Sequence, residues 1–407
     1  DSIDNDNDNF IDSQDPGCIN TTDNTETLDG EYQGFTLEEL KQKFDSSYST
    51  ESYSSGYATT PFIAGLVSMY EAVNKTIYIT EALDRIEFLT SRMNDYNNDG
   101  YKELNSTWCS IGTELFNGTE MCSCLDIERG TRQFIRLARI IKNDKNLNLT
   151  YGVRADNITQ IVKHDIINNP HCVDRYNASF DNGEAPVYNI ISHGAFILTE
   201  LYLIDGNQTY KDIATIKAQS LKDNLFSQPT DTKSLAWGTT LCIELNYTYP
   251  DCYYGDQTVR PPCKDSLGHR YCSPGDTSHS EDFVAAAIEF YRAGIVFTKE
   301  DINSLSYTFL HKIWDKNITD PKYSDGIDGN LEPLDGRYVG IYGHQGVLGS
   351  NIAPGWVGLG AFNKEIQRVT EEGDDSVITN KDWLNKMAYY GELARNLVSK
   401  DCQYTNN

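Results

Sequence analysis

Apolar residues recur at helical spacing through most of this chain, and they do so in paired segments. Phe62, Leu66, Met69 and Tyr70 fall three and four apart, break at Asn74, and resume as Leu83, Ile86 and Met93. Such spacing turns one side of each segment toward a core, and the short break makes the two a helical hairpin. Phe134, Leu137 and Ile141 are followed in the same way by Ile158, Ile161, Val162 and Ile166. Phe196, Ile197, Leu201 and Tyr202 precede Ile213, Ile216 and Leu225. Val284, Ile288 and Tyr291 precede Ile302, Leu305, Phe309 and Ile313. Val357, Phe362 and Ile366 precede Trp383, Met387, Tyr390 and Leu397. Strand-like alternation is scarce.

Helix starts are written into the same stretches. Thr36 followed by Glu39 reads as a capping box, with Phe35 and Leu40 placed as a hydrophobic staple. Thr298 and Asp301, with Phe297 and Ile302, repeat the device. The chain therefore predicts about five hairpins and one further helix near residue 40, at intervals too irregular for a short-period solenoid. First helices end in an apolar-x-Tyr phrase: Val67-Ser68-Met69-Tyr70, Glu200-Leu201-Tyr202 and Glu289-Phe290-Tyr291.

These hairpins resemble those of the (α/α) toroid proteins, across roughly residues 35–400. That group includes six-hairpin glycosidases, polysaccharide lyases and the C-terminal domain of glucuronyl C5-epimerases. The resemblance is clearest in GLVSMYEAVNKTIYITEALDRIEFL and SHSEDFVAAAIEFYRAGIVFTKEDINSLSYTFLHKIW. It implies an all-α fold, an (α/α) toroid-like ring of about five to six helical hairpins. An open α-α superhelix is the other fold that such pairs allow.

An acidic run precedes the ring. Asp4, Asp6, Asp8, Asp12 and Asp15 place side-chain oxygens at positions 1, 3, 5, 9 and 12 of a twelve-residue loop, with Asn9 at position 6. That is the oxygen spacing of an EF-hand-type calcium loop. The stretch DNDNDNFIDSQDPGC resembles the aspartate-rich calcium repeats of thrombospondin type 3. Asp95, Asn97, Asp99 and Gly100 match the first half of the same loop. Position 12 there is Ser106 in place of the bidentate Glu, with Glu103 at position 9 as partial compensation. The other reading of this second run is an Asn/Asp/Gly turn. Calcium is thus the expected cofactor, and residues 1–34 form an extended calcium-binding arm ahead of a toroid domain at 35–407.

Charge and cysteines sharpen the picture. The 407 residues carry a formal charge of −26. That excludes ordinary nucleic-acid binding and docking on anionic lipid, and favours cations. No apolar run approaches the roughly 18 residues that span a bilayer. Numbering opens at Asp1 in a polar tract, which reads as a processed chain. The ten cysteines suit disulfides in an oxidising compartment. Cys242, Cys252, Cys263 and Cys272 are expected to staple an insertion at about 227–278. Ten N-x-Ser/Thr sequons agree, at Asn20, Asn74, Asn105, Asn117, Asn148, Asn157, Asn177, Asn207, Asn246 and Asn317. Secretion or a cell-surface place follows from both.

In toroids of this kind the resemblance implies a site at the mouth of the ring. Ser192-His193-Gly194 opens the third hairpin and Asp276 to Asp282 opens the fourth. Tyr338 to His344 and Trp356 precede the fifth. His279 with Glu281 and Asp282 is the leading acid–base set, and His193 and His344 are further catalytic candidates. Against this, Ser278 and Glu281 read as a capping box. Trp237, Tyr342 and Trp356 suit stacking on sugar faces, with core packing as the alternative. Arg270, with His269 and Arg337, is the candidate for holding a uronate carboxylate. No pair of carboxylates is nominated for glycoside hydrolysis.

Two functions fit. The first, slightly preferred, is a secreted, heavily N-glycosylated, calcium-binding structural glycoprotein. It would be a subunit of an extracellular filament or surface assembly, self-associating head to tail through the arm. The second is an extracellular carbohydrate-active enzyme with a polysaccharide ligand at the toroid's mouth: a lyase, a uronate epimerase or a glycosidase.

Overall fold

The computed structural model describes residues 34–47, 56–104, 113–116, 118–176, 188–228, 231–237, 277–318, 321, 323–324, 326–327, 354–372 and 383–399. The acidic arm and the four clustered cysteines lie outside the described residues.

The helices are α1 Leu37–Ser47, α2 Gly56–Val73, α3 Thr76–Thr90, α4 Cys124–Asn143, α5 Lys145–Ile161 and α6 Tyr188–Asp205. They continue as α7 Gln208–Asp223, α8 Thr277–Arg292, α9 Lys299–Thr308, α10 Pro354–Val357, α11 Lys364–Glu372 and α12 Trp383–Val398. The capping boxes predicted at Thr36 and Thr298 are present. Thr36 N–H donates to Glu39 Oε2 at 2.8 Å, and Glu39 N–H donates to Thr36 Oγ1 at 3.3 Å. Thr298 and Asp301 make the same exchange at the head of α9. The ends of α5 and α9 widen into π-turns at Val162–Ile167 and Phe309–Ile313.

Helix contacts close a ring. Among the described residues α2 packs on α4, α4 on α6, α6 on α8, α8 on α10, α10 on α12, and α12 back on α2. Outside them, α3, α5, α7 and α9 each pack against the inner helix that precedes them, α11 lies against α10 and α12, and α1 covers α12. This is the expected (α/α) toroid, with six inner and six outer helices among the described residues. The all-round burial of α6 from Tyr188 to Leu201 follows, because an inner helix meets protein on every side.

The last pairing departs from the sequence expectation. Val357 and Ile366 belong to two elements, the short inner helix α10 and the outer helix α11. Met387 and Tyr390 lie on an inner helix, α12, whose outer partner is α1. The lone leading helix thus closes the ring, and chain order hides this because its partner is more than 300 residues away. Two short antiparallel hairpins are also present. Thr113–Phe116 pairs with Thr119–Cys122 ahead of α4, and Phe226–Gln228 pairs with Asp231–Ala236 beside α9.

Closure between α2 and α12 rests on two glycines. A Cβ on Gly65 would lie 2.6 Å from the Met387 carbonyl, and one on Gly391 would lie 2.7 Å from the Gly65 carbonyl oxygen. Gly→Ala inside a helix ordinarily stabilises by up to about 1 kcal/mol. Here the atoms met are backbone and cannot rotate aside. Gly65→Ala is expected to lower stability by roughly 1–3 kcal/mol, the range for overpacked interiors. A fall in the urea midpoint at unchanged m-value reads the effect, and a rise would contradict this close crossing.

Candidate active site

Helix α4 carries Arg129, Arg132, Arg136 and Arg139 at spacings of three, four and three, which is one face of a helix. That face points along the ring's axis. Buried guanidinium groups need carboxylate partners, and the other inner helices supply them. Arg129 Nη2 lies 2.6 Å from Glu281 Oε1, and Arg132 Nη2 lies 3.0 Å from Asp282 Oδ1, both on α8. Arg136 pairs with Glu71 of α2 and lies 3.6 Å from Glu392 Oε1 of α12. Arg139 Nε donates to Glu200 Oε2 of α6 at 2.5 Å. Arg395 of α12 adds contacts to Glu71 at 3.0 Å and to Glu289 at 3.1 Å.

An axial space of about 80 Å³ lies among Arg129, Arg132, Arg136, Phe196, Glu281 and Glu392. Ordinary ligand pockets hold about 300–1,000 Å³. The axial space alone is thus smaller than a ligand pocket of that kind. Glu281 stands in the first turns of α8, its side chain 13% exposed. Its Oε2 accepts the Gly355 N–H at 3.2 Å, so α10 fixes it from the far side.

Two adjacent acids on α8 take opposite protonation preferences. Burial raises the Glu281 carboxyl above the usual range, against the pull of Arg129. Burial would raise Asp282 too, but Arg129, His193 and Arg132 outweigh it and hold it well below that range. His193 is fully buried with Nε2 3.3 Å from Asp282 Oδ2, and burial pushes it down to about 4 despite that neighbour. The set is thus a carboxyl raised by burial, a carboxylate held ionised by its cationic neighbours and an imidazole kept neutral near pH 7. Carboxyls pushed apart in this way are an acid–base arrangement.

The structure thus brings Glu281, Asp282 and His193 together. His279 lies in the first turn of α8, half-buried, and is not among the residues around the axial space. Glu281 is held across the ring by Arg129 and Gly355, while the Ser278 side chain of the expected capping box lies outside what is described. Trp237 and Trp356 are core residues, with rings 6.0 Å apart and nearly parallel. Their indole N–H groups donate to Ser280 Oγ at 3.1 Å and to the Thr277 carbonyl at 2.9 Å, so they brace the start of α8 where sugar stacking was expected. Tyr342, His344, Arg270, His269 and Arg337 lie outside the described residues, as do Asp4, Asp6, Asp8, Asp12 and Asp15. Asn20, Asn105, Asn117, Asn177 and Asn246 also lie outside them. Asn74, Asn148, Asn157, Asn207 and Asn317 are exposed. Asp95, Asn97 and Asp99 sit on the loop after α3, away from the axial lining.

Sequence reasoning passed over the α4 arginines and their partners Glu71, Glu200, Glu289, Glu392 and Arg395. The available signal was the regular spacing of four arginines on a helix that also carries Phe134, Leu137 and Ile141. A charged stripe beside an apolar one ordinarily reads as the solvent face.

No protein-family model matches the chain, and no curated protein matches it by sequence. Solved structures are similar in shape. The α-1,6-mannanase of glycoside hydrolase family 76 from Salegentibacter sp. HEL1_6 is 10% identical with a TM-score of 0.46, over 89% of this chain and 98% of that one. A family 76 mannosidase from Bacteroides thetaiotaomicron gives the same identity, score and coverage. A D-mannose isomerase is 12% identical with a TM-score of 0.48, over 89% of this chain and 97% of that one. Each is a carbohydrate-active protein; the ring described here stands on its own helix contacts. No helix among the described residues is long and apolar enough to cross a membrane.

His193 supplies a pH test. Its folded value, about 4, lies below the ordinary 6.5, so between those limits the unfolded chain binds the extra proton. Stability from this group is therefore present above 6.5 and lost as pH falls toward 4. The stability difference between the wild type and His193→Asn should shrink across that window on acidification, as read by urea denaturation at several pH values. A constant difference would mean that His193 is not held neutral.

Proposed function

We propose that this chain is a carbohydrate-active enzyme that works by acid–base chemistry at the mouth of the ring. Glu281 is the proton donor. Asp282 is the fixed negative charge beside it, and Arg129, which contacts both, sets their geometry. The observation that carries this reading is the pairing of Glu281, raised and facing the axial space, with Asp282, lowered and buried behind it. Glu392 borders the same space from α12 and is the second carboxyl within reach of a bound sugar.

The charge balance favours a neutral sugar. Arg132, Arg136 and Arg395 around the space are ion-paired with Asp282, Glu71 and Glu289, and Arg129 lies 3.7 Å from Asp282, so each already has a carboxylate other than Glu281 to meet it. The acidic chain as a whole repels polyanions. An oxidising, extracellular setting is supported by the Cys124–Cys172 disulfide and by the exposed sequon asparagines. Enzyme takes precedence over filament subunit on the strength of the Glu281 and Asp282 pairing beside the axial space.

The test is turnover by the full glycoprotein on neutral oligosaccharides and free hexoses. Activity is expected on at least one member of the panel, and Glu281→Gln should lower kcat by about 10²–10⁴-fold, the usual worth of a positioned general acid. Unchanged circular dichroism must accompany the loss. No turnover on any member, or full activity in Glu281→Gln, would overturn the assignment.

A further inference from the structure

We propose that the loop from Asp95 to Glu103 is a calcium site tying the first helical hairpin to the second, with Glu103 as its buried ligand. The loop follows α3 and is closed by paired backbone bonds between Asn94 and Glu103, at 3.1 and 3.0 Å. Asn98 and Gly100 take φ of 60° and 95°, which lets the chain reverse tightly between the acidic positions. Asp95 accepts the N–H groups of Asp99 and Gly100, each at 3.0 Å. Asp99 Oδ1 accepts the Tyr101 N–H at 3.0 Å. Bonds of this kind also occur in turns that hold no ion, so they do not distinguish a site from a turn.

Glu103 does. It is 1% exposed, and a buried carboxylate is costly unless it is paired or coordinated. Its Oε1 accepts the Asn169 amide at 3.2 Å, while its Oε2 has no hydrogen-bond partner. Asp99 and Asp95 lie close enough for their charges to act on it, and so does the Tyr96 N–H of the loop. None of the ion pairs among the described residues involves Asp95, Asp99 or Glu103. Three acids thus share one loop where a cation is the natural partner.

The donors are all oxygen: the side chains of Asp95, Asn97, Asp99 and Glu103, and the Tyr101 carbonyl at the position where such loops use backbone. Oxygen-only sets select hard cations, and an irregular, flexible set suits calcium over magnesium, which demands near-octahedral order. Among the described residues the one His, Cys, Asp and Glu group with ligand atoms all within 4.8 Å is Cys124, His171 and Cys172, where a disulfide occupies both sulfurs. The loop's carboxylates are spread wider than that, so the proposed site requires them to draw inward around the ion. Asn169, and Asp165 through the Lys102 N–H at 3.1 Å, hold the loop to the end of the second hairpin. An ion here would therefore brace α3 against the turn that follows α5.

Calorimetric titration of the full chain with calcium chloride tests this. The N-terminal aspartates are counted separately by running Asp4→Asn/Asp6→Asn/Asp8→Asn beside the wild type. One binding event should survive in that arm variant. Asp95→Asn/Asp99→Asn should lose it or weaken it at least tenfold, and Glu103→Gln, which keeps the bond to Asn169, should weaken it by a similar factor. The thermal midpoint should rise with calcium in the arm variant and stay fixed in Asp95→Asn/Asp99→Asn. Asp95 and Asp99 are exposed or half-exposed and Glu103→Gln is isosteric, so folding is expected to persist, as checked by circular dichroism. A flat titration of the arm variant, or equal affinity with and without the loop carboxylates, would overturn the proposal and leave the segment a turn.

Discussion

The arginine ladder of α4 is the constraint on which the ring depends. Four guanidinium groups on one helix face cannot lie at the axis of a closed bundle without carboxylates to meet them. Those acids are drawn from α2, α6, α8 and α12, so one helix is tied by charge to four others. Leaving one partner of such a buried pair alone typically costs about 3–5 kcal/mol. Apolar packing pulls the helices together without much preference for register. The charge pairs require each inner helix to present its acid at one depth, and so fix register around the ring. The glycine crossing of α2 and α12 completes the circle by bringing the two ends of the inner set into backbone contact.

Depth along the axis then separates stability from chemistry. At the deep end Glu200 is fully buried, with Arg139 and Glu289 both acting on it, and burial carries its carboxyl up to about 7. It is not among the residues that line the axial space. Toward the start of the inner helices the same kind of pairing is less complete, because Glu281 has one guanidinium, one backbone N–H and the axial space around it. Preorganised charges in a closed interior act strongly on whatever enters, since they need not reorient. The ring thereby supplies a fixed field at its mouth as a by-product of the pairs that hold it shut.

Much of the fold was legible because helices write their period and their caps locally. Thr36–Glu39 and Thr298–Asp301 are decided within four residues, and the structure keeps both. Ring closure was less legible, because α1 is joined to α12 by contacts that no local pattern records. At the site, Glu281, Asp282 and His193 were visible as acids and imidazole at the start of inner helices. The α4 arginines were not, since the same stripe on an isolated helix would face water. Only the ring turns it inward. The tryptophans misled for a related reason. A flat ring suits a sugar and suits a core equally, and the partners Ser280 and Thr277 that decide the matter are close in space and far in sequence from Trp237.

Helix α8 shows most directly how surroundings assign roles. It carries Glu281 and Glu289, the same side chain about 12 Å apart along the axis at the usual helical rise. Burial would raise both. Glu289 is gripped by Arg292 and Arg395, with Arg136 and Arg139 adding to their pull, and it is held far below the ordinary carboxylate range. A proton has nowhere to stay there. Glu281 meets Arg129 while the adjacent Asp282, already ionised, opposes a second negative charge. Glu289 is lowered and Glu281 is raised, and that difference is what makes one glutamate a strut and the other a candidate acid.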